Sequence, residues 1–311
     1  MDDSLRHRRH LPPGSELATW PAADGWPLGV GTWPDGRRGT LLFLNGRADF
    51  LGKYAEALWW WRARGWALCA PDWRGQGVSG RLGRMPLAGH ADSFEPWLDD
   101  LATIVARLGT WPRPLVAVGH SMGGHLLLRG LVRGLPAIHC AVLTAPMLGL
   151  RLPLPAGLAR LLTQLVRRAG GAQAILPGQQ PGRSPADVLA RARLLTSCPE
   201  RQADEEWWLA RHPERRLGGP TWGWLDAAFA SLRLLNAPGA IESVRTQLLA
   251  LLAHDEQVVD NGAAMRTLAR LPAGAYALSP GRHELLREAD AARLAALRRI
   301  DGFLEDGQVG G

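Results

Sequence analysis

Short apolar runs recur along this chain, each closing on turn-forming residues: TLLFLNG at 40–46, WALCAPD at 66–72, PLVAVGH at 114–120, CAVLTAP at 140–146, TQLLALLAHD at 246–255 and GAYALSP at 274–280. Near-continuous runs of this length suit parallel strands covered on both faces. Helical patterns separate them, at 54–65, 94–109, 122–134 and 261–271. The alternation predicts an α/β fold, an open and mostly parallel sheet with right-handed crossovers and flanking helices. Ahead of the first run, LATWPAADGWPLGVGTWP sets Asp24-Gly25 between two tryptophan-bearing segments, which predicts a hairpin.

The rhythm stops between about 149 and 235, where Pro, Gly and Trp are frequent and the pattern predicts several helices joined by loops. This stretch reads as an insertion. It divides the chain into a core of 15–148 and 236–311, an insert of 149–235 and a tail of 1–14. Within the insert, Leu158, Leu161, Leu162, Leu165 and Val166 recur at helical spacing before Gly170-Gly171. Such a stripe either packs on the core or meets lipid.

In open α/β sheets, ligands bind beyond the carboxyl ends of the strands. One run ends there in Gly119-His120-Ser121-Met122-Gly123, the G-x-S-x-G of a strand-to-helix corner that exposes a serine. A serine hydroxyl is a weak nucleophile and needs a histidine base, a carboxylate and donors for the oxyanion. After Ser121, His125 lies one turn into the helix, His139 enters a strand at the wrong edge, His212 lies in the insert, and His254 adjoins the acid candidate. His283, on a Pro-Gly loop after GAYALS, is left as the base. Asp255 closes LLALLAHD and is the expected acid, ahead of Glu256, while Asp260 reads as a helix cap. The expected oxyanion donors are the backbone amides of Met122 and of Arg47 in LNGRADF. The loop PDWRGQGVSGR, with Asp72, Arg74, Gly75 and Gly77, is expected to buttress them.

Together with RGWALCAPDWRGQGVSGR, VGHSMGGHL, GGPTWGWLDAA, HDEQVVD and GRHELL, these residues make the chain resemble the α/β-hydrolase superfamily. Within it, the resemblance is to the lysophospholipase and monoacylglycerol lipase-like group, sometimes placed with serine aminopeptidases. The resemblance implies a Ser121, Asp255, His283 triad, no metal or cofactor, and a helical cap at 149–235 over an acyl-binding cleft. It implies an ester hydrolase acting on a small-molecule ester, with a short-chain esterase, an amidase or a non-catalytic binding protein on the same fold as alternatives. Many relatives have His-Gly where this chain has Asn45-Gly46, and Glu-His where it has Asp49-Phe50.

Charge adds a substrate expectation. Seven arginines between 149 and 199 (151, 160, 167, 168, 183, 191, 193) face one acid, Asp187. A basic, leucine-rich cover suits a single-chain lipid with a phosphate head and transient contact with a membrane surface, although an arginine-rich composition alone would also produce it. The net charge is +7, yet the 36 basic residues are spread along the chain with no nucleic-acid motif, so no nucleic acid is expected as partner. Lys53 is the sole lysine among them. Cys69 and Cys140 sit in apolar runs as buried thiols. The N-terminal stretch lacks an apolar signal region, and no run reaches 18 apolar residues, so a cytoplasmic location is expected.

Overall fold

The computed structural model describes residues 3–179 and 185–309. In chain order the elements are α1 (Asp3–Arg9), β1 (Glu16–Pro21), β2 (Pro27–Trp33), β3 (Thr40–Leu44), α2 (Ala55–Ala63), β4 (Ala67–Pro71), α3 (Glu95–Arg107), β5 (Leu115–His120), α4 (Met122–Val132) and β6 (Ile138–Thr144). There follow α5 (Ala156–Arg168), α6 (Pro185–Leu195), α7 (Pro199–Arg211), α8 (Trp222–Leu235), β7 (Gln247–Ala253), α9 (Asn261–Leu268), β8 (Gly274–Ser279) and α10 (Asp290–Val309).

One sheet holds all eight strands in the order β1-β2-β4-β3-β5-β6-β7-β8. The β1–β2 hairpin turns at Asp24-Gly25, where Gly25 takes a positive φ and the Trp26 amide donates to Asp24 Oδ1 at 3.1 Å. From β4 onward every pairing is parallel. Alternation along each strand splits the core in two. Leu42, Leu44, Ala117, Leu143, Ala250 and Leu252 face a layer with α3, α4 and α8. Leu41, Phe43, Val118, Val142, Leu249 and Leu251 face α2 and α10. This is the α/β architecture that the runs predicted.

Two elements depart from the reading of the sequence. Residues 3–9, expected as part of a tail, form a helix docked on α2 and α7. Arg8 and Arg9 both pair with Asp204, at 3.3 and 2.6 Å, and the Arg6 and Arg9 guanidiniums lie over Trp59 and Trp207. β8, read as covered on both faces, is the edge strand and leaves Tyr276 and Leu278 exposed.

Between β6 and β7 lie α5–α8, and among the described residues no strand of the sheet falls there. α8 is set on the core: its N-cap Thr221 accepts from the Trp224 amide, and its Ser231 accepts from the buried Arg129 of α4 at 3.1 Å. Among the described residues, no helix is long and apolar enough to cross a membrane.

Candidate active site

β5 and α4 meet at Ser121, whose φ of 51° and ψ of −116° lie outside the regions open to ordinary residues. The corner forms because its neighbours have no side chains. A Cβ on Gly123 would come within 2.3 Å of the Leu44 carbonyl oxygen, and one on Gly119 within 2.8 Å of Gly124 Cα. The bend is pinned from behind by the Ser121 amide, which donates to Thr144 O at 3.0 Å, and by the Met147 amide, which donates to Ser121 O at 3.0 Å.

The Ser121 hydroxyl lies 2.9 Å from His283 Nε2. The other ring nitrogen, Nδ1, lies 2.9 and 3.0 Å from the two carboxylate oxygens of Glu256. An ionised carboxylate only accepts, so Nδ1 carries the ring proton and Nε2 is free to accept from the serine. All three side chains are buried. Burial would raise the Glu256 carboxyl, but the hydrogen bond and charge of His283, with the amides of Val258 and Val259, hold it below the usual carboxylate range. The His120 ring lies tilted against that of His283, centroids 5.0 Å apart, and burial, aided by His283, pushes it down to about 4, so it is neutral at neutral pH.

The acid expected from the sequence is therefore corrected: the structure brings Glu256, not Asp255, to His283. β7 ends at Ala253 and residues 254–255 form a turn. The amides of His254 and Asp255 bond to Ser279 O and Gly281 O, tying this turn to the loop that carries His283. Their side chains point to solvent, where Asp255 pairs with His254 at 2.8 Å, and the chain then returns Glu256 to the interior. Asp260 caps α9 through the Ala263 amide. Of the other histidines, His125 bonds Ser231 of α8, His139 is exposed on β6, and His212 stacks on Trp208.

The loop after β3 lies against the serine: a Cβ on Gly46 would come within 3.2 Å of Ser121 Cβ. Its Gly46 amide donates to Asp49 Oδ2 at 3.0 Å, while the Arg47 side chain reaches across to Gly218 O at 2.9 Å. Met122 begins α4 directly after the serine. Gln76 braces the loop from below, donating to Gly46 O at 2.7 Å and accepting from the Ala48 amide at 3.1 Å. Asn45 donates to Asp72 Oδ1 at 3.1 Å. From the buttressing loop Asp72, Trp73 and Gln76 bond the residues after β3, Trp73 through its indole N–H to Asn45 O at 2.8 Å, whereas Arg74 turns to Asp24 and Asp100.

The serine opens on a cavity of about 1320 Å³ walled by this loop and by the insert. Leu150, Leu152, Leu154 and Leu162 supply apolar wall; Arg47, Arg151, Arg191 and Arg216 supply positive charge, beside a cluster of Lys53 with Asp49, Glu205 and Glu284, and Glu206, which pairs with Arg216. Of the seven arginines noted in the sequence, Arg151 and Arg191 thus line the cavity, Arg167 pairs with Asp226, and Arg183 lies outside the described residues, as does the side chain of Asp187.

Residues 35–290 match the model of the family described as serine aminopeptidase, S33. The chain belongs to that family. Relatives in sequence include lysophospholipase L2 of Escherichia coli K12, 32% identical over 276 residues that cover 85% of this chain and 79% of the relative. The probable lysophospholipase L2 of Haemophilus influenzae is 29% identical over 280 residues, 86% of this chain and 84% of that protein. In fold, the chain is similar to a soluble variant of the monoglyceride lipase of Saccharomyces cerevisiae, at TM-score 0.76 and 17% identity over 94% of this chain and 96% of the other. The monoacylglycerol lipase of Paleococcus ferrophilus follows at TM-score 0.70 and 19% identity, over 90% and 99%. The chain is thus a hydrolase of the S33 family, with sequence relatives named lysophospholipases and a fold shared with the monoglyceride lipases.

Proposed function

We propose that this protein is a lysophospholipase that releases the fatty acid of single-acyl glycerophospholipids through an acyl-enzyme on Ser121. The observation that carries this reading is the hydrogen-bonded line Ser121–His283–Glu256, opening on a large cavity that is apolar with arginines in its wall. In this mechanism His283 Nε2 takes the hydroxyl proton as Ser121 Oγ attacks the ester carbonyl, and Glu256 holds the ring and offsets the imidazolium charge. The amides of Met122 and Arg47 donate to the oxyanion. The proton passes from His283 to the departing glycerol oxygen, and water then repeats the sequence to free the acid.

Residues 149–235 act as the cover over this cleft. Arginine in its wall favours a phosphate-bearing head group over an uncharged one, because a guanidinium matches phosphate oxygens in pairs. The exposed leucines of α5, flanked by Arg160, Arg167 and Arg168, support a second part of the reading, that the cover rests on an anionic lipid surface to collect substrate. The test is fatty-acid release from a lysophospholipid and a monoacylglycerol by the wild type and Ser121→Ala. Turnover of both lipids by the wild type, faster for the phosphate-bearing one and absent in Ser121→Ala, is expected. Turnover confined to short-chain esters would overturn the lipid assignment.

A further inference from the structure

The chain carries one lysine among 36 basic residues, and that lysine is buried. Lys53 follows the oxyanion loop, and its ammonium lies 2.7 Å from Asp49 Oδ1, 3.0 Å from Glu205 Oε2 and 2.7 Å from Glu284 Oε1. These three carboxylates come from three parts of the molecule. Asp49 belongs to the oxyanion loop and accepts both the Gly46 amide and the Tyr54 hydroxyl on its other oxygen. Glu205 belongs to α7 in the insert, and Glu284 directly follows His283. Arg287 closes the far side, paired with Glu205 at 3.1 Å and with Glu284. Lys53, Asp49, Glu205 and Glu284 also line the cavity beside Ser121.

We propose that Lys53 is a positioning residue for the chemistry at Ser121: its ammonium, shared by Asp49, Glu205 and Glu284, locks the oxyanion loop, the His283 loop and helix α7 into one register. The inference rests on the reading of Ser121 as nucleophile. Its physical basis is the shape of the ammonium. Three N–H bonds diverge tetrahedrally from one nitrogen and meet three carboxylates arriving from different directions, whereas a guanidinium is a planar fork suited to one or two. Every other Lys or Arg position of this chain is arginine; where Asp49, Glu205 and Glu284 converge on one nitrogen it has lysine. The charges agree. Burial would lower the Lys53 pKa, but the three carboxylates raise it, and Asp49, Glu205 and Glu284 are each held ionised against burial, chiefly by Lys53.

Steady-state kinetics on a water-soluble ester test the proposal with Lys53→Arg and Lys53→Met, each first checked for folding by circular dichroism and thermal unfolding. Lys53→Arg keeps the charge; in the folded variant kcat is expected to fall about tenfold with KM within about twofold, as for a small misplacement of reacting groups. Lys53→Met is expected to lose about 100-fold in kcat per folded molecule, and its affinity for a boronic acid, which binds as a tetrahedral adduct, is expected to fall in parallel. Wild-type kcat in folded Lys53→Arg, or a loss in Lys53→Met that matches the loss of folded protein, would overturn it. A fluorophosphonate probe separates this from the nucleophile reading. A wild type left unlabelled overturns that reading, whereas a labelled wild type with kinetically silent Lys53 variants overturns the positioning role alone.

Discussion

Helices α4 and α5 carry similar leucine content and meet opposite fates. In α4, Leu126, Leu127, Leu128 and Leu131 are all buried between the sheet and α8. In α5, Leu158, Leu161, Leu162 and Leu165 remain 39–53% exposed. The difference lies in the surroundings. α4 leaves a central strand and is covered by α3 and α8, while α5 belongs to the insert and contacts chiefly α8. Apolar periodicity alone therefore says that a face wants cover, and topology decides whether the protein supplies it. Around α4 the protein supplies that cover; along α5 it leaves the leucines open.

The sharpest way to separate fixed interior from open surface uses two adjacent carboxylates. Glu256→Gln keeps the size of the side chain but removes the charge that orients His283, and kcat is expected to fall about 10³- to 10⁴-fold. Asp255→Asn, on the exposed turn one residue earlier, is expected to stay within about twofold of wild type. The reverse ranking in ester turnover would break the assignment of Glu256. Next in size is packing. Leu127→Ala in α4 is expected to cost about 2–5 kcal/mol of unfolding free energy, through lost burial and the cavity left behind. Leu161→Ala in α5 is expected to change it by less than about 0.5 kcal/mol. Equal losses in chemical denaturation would show that α5 is covered after all.

The interior also has a pH signature. Burial raises the Asp72 carboxyl from its ordinary 3.8 to about 6, against the hydrogen bonds it accepts from the Val78 and Leu51 amides and Asn45. Between those two values the folded chain keeps a proton that the unfolded chain releases, so this contribution makes stability fall as pH rises through the window, by up to about 3 kcal/mol. Asp72→Asn is expected to flatten that slope in unfolding measured at pH 4.5 and 6.5. A slope unchanged in the variant would assign it elsewhere. The smallest effect belongs to α5. Replacing Leu158, Leu161 and Leu165 together by serine is expected to weaken binding to anionic vesicles about tenfold or more, while turnover of a soluble ester stays within about twofold. Undiminished vesicle binding would remove the lipid-surface role from this helix.

Local patterning made much of the interior legible in advance. The apolar runs mark the parallel strands, Asp24-Gly25 marks the hairpin, and Gly-His-Ser-Met-Gly marks the one corner where glycines let β3 crowd against a serine. What the sequence hid depends on where the chain turns. The apolar run TQLLALLAHD reaches 255, but pairing with β8 ends at Ala253, and the two residues beyond it bring Glu256, not Asp255, to His283. The burial of Glu256 beside Val258 and Val259, whose amides it accepts, has no signature in spacing alone. Helix α1 was opaque for a related reason. It has no apolar stripe, and the groups that hold it, Trp59, Asp204 and Trp207, lie far along the chain. Gln76 and Lys53 were also missed, although the rarity of lysine in so basic a chain was a visible sign.

That rarity has a practical side. With its sole lysine closed off, the folded protein presents no lysine side chain to amine-directed reagents. Acylation of Lys53 by an activated ester requires its ammonium to lose a proton and leave Asp49, Glu205 and Glu284, so the rate of that modification is a clock for the loosening of this cluster.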